Sequence, residues 1–321
     1  MRGSRSLGKN FCFWSIFTAG IVSLSAFADG SKVNSVGPKD NVASHLVFGS
    51  GEECPHEPYC LPALEKKYGL RFAEFKVTDP GGVGTRNALE KGDIQVGVLF
   101  TTNGYLAAKR FVLLEDDRNA QPSENIIPVS HKSIIFAYPE VGVILDAVSK
   151  KLTTSNLAEM NRQYDLEQVG ASEVASRWLK SSNLLVGTKA EARKGLPIVV
   201  GSANFAENQI LAEIYTQALN HTGYPAVHRK SIGNRETYLP VLERGEFHLI
   251  LDYVGSLQGW LNTLEKTSAQ ELTPMLRNRD LISFAPAPAE NKNGIVVTSE
   301  TARRYGLVKV SDLAKPVPKN L

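Results

Sequence analysis

Two stretches of this chain share one frame: ALEKGDIQVGVLF at 88–100 and VLERGEFHLILDY at 241–253. Each is a helix end followed by Leu-Glu-basic-Gly-acidic and then an apolar run. The glycine suits the left-handed residue that closes a helix, after which a buried strand can begin at once. Each apolar run leads into a short polar loop holding glycine, TTNG at 101–104 and VGS at 254–256. Ligands of open α/β sheets bind beyond the carboxyl ends of strands, so two such units imply two lobes facing a shared cleft.

The remaining pattern agrees. HLVFG, RFAEF, IQVGVLF and FVLLE are short apolar runs that read as strands, with LPALEKKYG and TRNALEKG between them as helices closed by glycine. Residues 141–182 carry apolar side chains at three- and four-residue spacing and are expected to be helical. KAEARKG at 189–195 has the composition of a linker. Beyond it follow PIVVG, a helix over 206–220, a strand near 225–229, a helix over 235–244 and FHLIL. Strands near 281–285 and 294–298 and a helix at 300–305 complete the chain. Such alternation predicts an α/β protein with mostly parallel sheets.

The first residues have another purpose. Arg2, Arg5 and Lys9 precede the apolar run FCFWSIFTAGIVSLSAF, and Ala26-Phe27-Ala28 offers small residues where a signal peptidase reads. The run is short for a bilayer span, which favours a cleaved signal over a retained anchor. Cleavage near Ala28 leaves about 293 residues, beginning with a polar tail at 29–43. It also removes three bases and no acid, bringing the 36 Lys and Arg to parity with the 33 Asp and Glu. The basic balance of the whole chain therefore supports no nucleic-acid partner. Export fits the cysteines as well: Cys54 and Cys60 flank two prolines in ECPHEPYC, without the partners of a zinc site. In an oxidising compartment they close a small disulfide loop, the alternative being two free buried thiols.

Catalytic signatures are scarce. The six histidines show no metal-ligand spacing, no G-x-S-x-G elbow is present, and neither a metal nor a cofactor is expected. DPGGVGTRNALEKG resembles a phosphate loop but lacks the Lys-Ser/Thr pair, so it reads as a turn whose helix is capped by Thr85. The carboxylates of LEDD at 114–117 read as a solvated turn. Phe100 and Tyr253 end their apolar runs with a ring, and a π-face beside a cleft can hold a quaternary ammonium.

GSANFAENQILAEIYTQAL at 201–219 resembles the G-S-K-N-F-T-E-Q segment that opens mature substrate-binding proteins of osmoprotectant ABC importers, which carry glycine betaine, choline or carnitine. SIGNRETYLPVLERGEFHLILDYVGSL and APAPAENKNGIVVTSETARRYGLVKVSDLAK are similar to the next two blocks of that family. LVFGSGEECPHEPYCLPALEKKYGL, VGVLFTTNG and VLLEDDRNAQPSENIIPV resemble the blocks after those, before a helical end like 141–182. The family's first half thus occupies 196–315 and its second half 45–182. A circular permutation accounts for this order, with 183–195 joining the ancestral ends; a trimmed tandem duplication is the alternative.

The resemblance implies a type II periplasmic-binding-protein fold, two α/β lobes joined by two crossing segments. One lobe is expected over 44–122 plus 296–321, the other over 123–295. It further implies a periplasmic, non-enzymatic monomer that delivers a small solute to ABC permease membrane subunits. By position, Tyr253 matches a cage tyrosine, Ser256 the hydroxyl of the same loop, and Phe100 a second cage position. Thr102, Asn103, Asn204 and Asn208 fall in the ligand loops, with Asn208 and Asn103 replacing Gln and Asp. Ala203 stands where many members have Lys, and Glu57 where some have Arg. Gly294 and Glu124 occupy positions that are aromatic in betaine binders. A betaine carboxylate buried without a base is costly, whereas a cation beside Glu57 or Glu124 gains charge pairing. The expected solute is therefore a small quaternary-ammonium or related osmoprotectant-like compound, with choline or another, larger cation at least as well suited as glycine betaine; the alternative for Glu57 is the solvent face of the disulfide loop, away from the ligand. A sensor for such a solute, or an enzyme on the same fold, remains the alternative.

Overall fold

The computed structural model describes residues 40–122, 124–187, 190–261 and 269–318, with the backbone alone for 269–271. The expected export signal and most of the polar tail lie outside the described residues. Val42 and Ala43, at the end of that tail, are already buried. No described helix is long and apolar enough to cross a membrane.

Among the described residues, ten strands form two five-stranded sheets. The first contains β1 (Val47–Ser50), β2 (Glu74–Val77), β3 (Val96–Phe100) and β4 (Phe111–Leu113). The second takes β5 (Ile126–His131), β6 (Ile198–Gly201), β7 (Ala226–Arg229), β8 (Leu249–Tyr253) and β9 (Leu281–Ser283). The chain then returns to the first sheet as β10 (Asn293–Thr298). The strand orders are β2-β1-β3-β10-β4 and β7-β6-β8-β5-β9. Each sheet therefore receives one central strand from a segment that has crossed over from the other.

That exchange corrects the expectation of mostly parallel sheets. β1 is parallel to β2 and β3, but β10 runs antiparallel to β3 and β4. β6 is likewise parallel to β7 and β8, while β5 is antiparallel to β8 and β9. A crossing segment enters its new sheet against the direction of the local β-α-β units, so both sheets are mixed.

The echoed sequence frames occupy equivalent places, since β3 and β8 are each the third strand of their sheet. Both are preceded by a glycine at positive φ, Gly92 at 78° and Gly245 at 69°, as the helix-closing role requires. The strand that patterning misses is β5, because Pro128 argues against a central strand. His131 N donates to His248 O and Asn125 O accepts from Val254 N, so the odd-numbered residues face β8. Pro128 turns instead toward β9, where its carbonyl accepts from Phe284 N. β9 pairing begins at Val129, so the missing N–H costs the ladder little.

Phe48, Val96, Val98 and Ile295 anchor the core of the first sheet. One face of the second sheet packs Ile198, Val200 and Leu251 against the helix Ala206–His221 and the helices of 141–181. The opposite face buries Val129, Ile250 and Leu239. The segment before β6 is tied down: Ala190 N and Arg193 N donate to His221 O and Gly223 O, and the Arg193 guanidinium lies 4.3 Å from the centre of the Tyr224 ring.

Candidate ligand-binding cleft

The carboxyl ends of β3 and β8 open on a common cavity of about 440 Å³. From the first sheet come Phe100, Thr102 and Asn103; from the second, Phe205, Glu207, Tyr253 and Ser256. The helix Thr154–Asp165 adds Asn161 and Asp165, and the crossing segment before β10 adds Asn291. Sequence reasoning brings five of its residues here: Phe100, Thr102, Asn103, Tyr253 and Ser256.

Glu207 is the chemical centre of this cavity. It is 5% exposed, and its Oε1 accepts from the Tyr253 hydroxyl at 2.7 Å and Asn291 Nδ2 at 2.8 Å. Its Oε2 accepts from Asn161 Nδ2 at 2.7 Å, and the same nitrogen donates to Thr102 O at 2.9 Å. Asn161 thereby joins the loop after β3 to the helix Ala206–His221. Burial first, and then Glu207, hold the Tyr253 phenol well above its ordinary pKa, so the ring is neutral. The Phe205 ring lies 6.4 Å from it at a tilt of 31°. Among the described residues, no Lys or Arg lines this cavity.

The two halves meet beside it. A Cβ added at Gly104 would lie 2.7 Å from the Cα and N of Arg162, so only glycine lets this turn approach the helix Thr154–Asp165.

A second cavity of about 600 Å³ adjoins the first and shares Phe100, Ser256 and Asn291 with it. The Cys54–Cys60 disulfide forms as expected, and its loop contributes Glu53, Glu57 and Tyr59 to the wall. Glu57 is exposed even though it contributes to this wall. Gln121 and Glu124 come from the first crossing segment, Lys292 and Asn293 from the second. Lys292 is paired with Glu290 at 2.9 Å. Ser256 donates to Glu124 twice, from N at 3.1 Å and Oγ at 3.0 Å.

Burial raises the Glu124 pKa, and the Ser256 donors only partly offset it. The folded protein therefore retains a proton that the unfolded chain has released. Stability from this group is present at low pH and declines as pH rises from the unfolded carboxylate value through the raised folded one. The Tm of the wild type should fall over that window relative to Glu124→Gln, which lacks the group. Parallel Tm profiles would contradict the assignment.

Other expected residues lie elsewhere. Asn204 is exposed and accepts from the Ser231 hydroxyl. Asn208 is buried with both amide groups engaged, accepting from Ala203 N at 2.8 Å and donating to Leu251 O at 2.7 Å. It ties the loop after β6 to β8, and neither asparagine lines either of these two cavities. Gly294 has no room for a ring, since an added Cβ would sit 2.5 Å from Leu113 Cδ1 and 2.9 Å from Leu99 O. The helix at 83–91 is not capped by Thr85. Asp79 accepts from Thr85 N at 2.7 Å, while the Thr85 hydroxyl turns to Asp79 O. The acidic turn is also more than solvated: Asp116 accepts from the Tyr68 hydroxyl and from Ala120 N and Gln121 N, setting the path of the first crossing segment.

One arrangement resembles a hydrolytic triad. His228 lies 2.8 Å from Glu213 Oε1 through Nδ1 and 2.9 Å from Ser202 Oγ through Nε2. Ser202 is fully buried and lines neither cavity, so these bonds fasten the end of β6 to β7 and present no nucleophile. No group of three or more His, Cys, Asp or Glu side chains among the described residues is placed to hold a metal.

A family profile described as the substrate binding domain of ABC-type glycine betaine transport system matches residues 18–181 and 196–320. The chain is 28% identical over 145 residues to the glycine-betaine-binding protein of Pseudomonas aeruginosa, 44% of this chain and 46% of that one. It is 27% identical over 125 residues to the Escherichia coli glycine betaine-binding protein YehZ, 37% and 41% of the two chains. The carnitine transport binding protein OpuCC of Listeria monocytogenes is 25% identical over 125 residues, 39% and 40%. The chain thus spans less than half the length of the curated relatives it matches. With two sheets that exchange a central strand and a profile match over nearly all of the described fold, the chain belongs to the family of substrate binding domains of ABC-type glycine betaine transport systems, on a type II periplasmic-binding-protein fold.

Proposed function

We propose that this protein is an exported solute-binding protein that captures a small cation between its two halves and hands it to an ABC permease. The observation that carries this reading is the 440 Å³ cavity, with three aromatic rings, the carboxylate of Glu207 and no basic side chain in its walls. Such a lining attracts a cation through both ring faces and charge. It offers no basic side chain to a betaine carboxylate, which distinguishes choline-like solutes from glycine betaine. The solute binds by closing the cleft, with the paired crossing segments as the hinge: Asn291 N donates to Glu124 O, and Asn125 and Glu290 form an antiparallel bridge. Calorimetry with choline and glycine betaine tests this reading. Choline should bind at least about tenfold more tightly, the worth of one lost charge–dipole contact or about 1.4 kcal/mol. Tight glycine betaine binding without choline binding would overturn the preference. An enzymatic reading is not favoured, because Ser202 is fully buried and lines neither of the two cavities.

The circular permutation belongs to the same proposal. The profile match breaks at 181 and resumes at 196, on either side of the expected junction. Pairwise matches that stop near half length are what a reordered chain produces. Residues 42 and 315 are neighbours, for Val42 N donates to Lys315 O at 2.9 Å. A chain reordered to begin at Leu196, with 315 joined to 42 through a short glycine linker, should fold and bind as the natural one does. Insolubility of that chain would count against permutation.

A further inference from the structure

The cleft continues past the first cavity, which shares Phe100, Ser256 and Asn291 with the second. The second cavity repeats part of that chemistry, although Lys292, paired with Glu290, lies in its wall. Each cavity holds a carboxylate, Glu207 or Glu124, that has no Lys or Arg within ion-pair distance among the described residues. Each also has an amide side chain whose carbonyl oxygen is buried without a partner, Asn161 Oδ1 in the first and Gln121 Oε1 in the second. Both residues are 6% exposed. The amide orientation of Asn161 is fixed, because its Nδ2 donates to two oxygens. Between the cavities stands Asn291, whose Nδ2 serves Glu207, whose backbone N serves Glu124 O, and whose Oδ1 is again unpartnered.

Unpartnered buried acceptors are costly and call for donors. A quaternary ammonium has no N–H to give, while a protonated primary or secondary amine has two or three. Acceptors of this kind on both sides of Asn291, each beside a carboxylate, match a solute with a charged amine at either end. We propose that the cleft takes an elongated dication of the diamine or oligoamine class, one ammonium in each cavity. This rests on the reading of the cleft as a site for cations and names the class of cation.

The inference also assigns the two carboxylates different duties. Glu207 meets any cation that enters the aromatic cavity, whereas Glu124 acts only on a second charge. Glu124 and Gln121 are thus specificity residues, and their replacement should separate dications from monocations.

Calorimetry on the full chain with putrescine, cadaverine, spermidine, hexylamine and choline tests this. At least one diamine or oligoamine should bind about tenfold or more tightly than hexylamine and choline, the order expected from a second ion pair in a partly dry site. Glu124→Gln should remove most of that preference and leave choline within about threefold, and Gln121→Met should act in the same direction more weakly. Tm values of both variants report whether they fold. Monocations that bind as tightly as every dication overturn the inference while the cation reading stands, as does a preference that survives Glu124→Gln. If none of the five binds, the cation reading fails with it.

Discussion

Arg235→Ala should destabilise the protein by about 3–5 kcal/mol, the usual consequence of breaking a buried ion pair from one side. Asp252 is 0% exposed, and the Arg235 fork reaches it through Nη2 at 2.7 Å and Nε at 3.2 Å. The same carboxylate accepts from Tyr253 N at 2.8 Å, and together with burial it raises the Tyr238 phenol. Without the guanidinium, a full negative charge stays in the interior beside β5 and β8 with only dipoles to hold it. At this chain length the loss corresponds to a Tm lower by roughly 10 °C. Removing both charges, as in Arg235→Met with Asp252→Asn, should recover much of the stability, because no uncompensated ion remains. Urea unfolding of the two variants makes the comparison. A loss below about 1 kcal/mol for Arg235→Ala would show that water reaches Asp252 in solution.

How far such features can be read from sequence depends on what kind of residue carries them. The helix-Gly-strand frames at 88–100 and 241–253 are legible because each needs a left-handed closure, and only glycine supplies it cheaply. Their equivalence as third strands follows from the half-symmetric order of the two sheets. By the same symmetry a half-chain reordering would be nearly invisible in the topology: both sheets have five strands ordered 2-1-3-n-4. β5 is illegible because Pro128 is acceptable only in a strand whose neighbour on that side starts one residue later, a fact of register that no local pattern holds. Asn208 looks like a ligand residue by its place in the loop, but both of its amide groups are spent on backbone. Glu207 had a signal that went unused. It stands three, four and seven residues before Ile210, Leu211 and Ile214, all fully buried, so it is a charge on the apolar stripe of its helix. A carboxylate in that position is costly unless something pairs with it. Asn161 stands likewise beside Leu157, Ala158 and Met160 on its own buried face.

Glu207→Gln should weaken binding of every cationic solute by roughly a hundredfold or more, since a charge pair about 5 Å apart at an effective dielectric near 20 is worth about 3 kcal/mol. Folding should hardly change. The glutamine carbonyl can keep the bonds from the Tyr253 hydroxyl and Asn291 Nδ2 that Oε1 accepts now. Only the bond from Asn161 Nδ2 to Oε2 is lost, and there two amide nitrogens come to face each other. That cost is about 1 kcal/mol, offset by no longer burying a charge that lacks a base. The two readouts therefore move apart: the unliganded Tm stays within a few degrees while calorimetric affinity collapses. Two results would count against a cation held by Glu207. One is a large drop in Tm with affinity preserved, which would make the carboxylate a structural brace between Asn161, Tyr253 and Asn291. The other is preserved affinity with preserved Tm, which would place the solute's charge on the other side of Asn291, at Glu124.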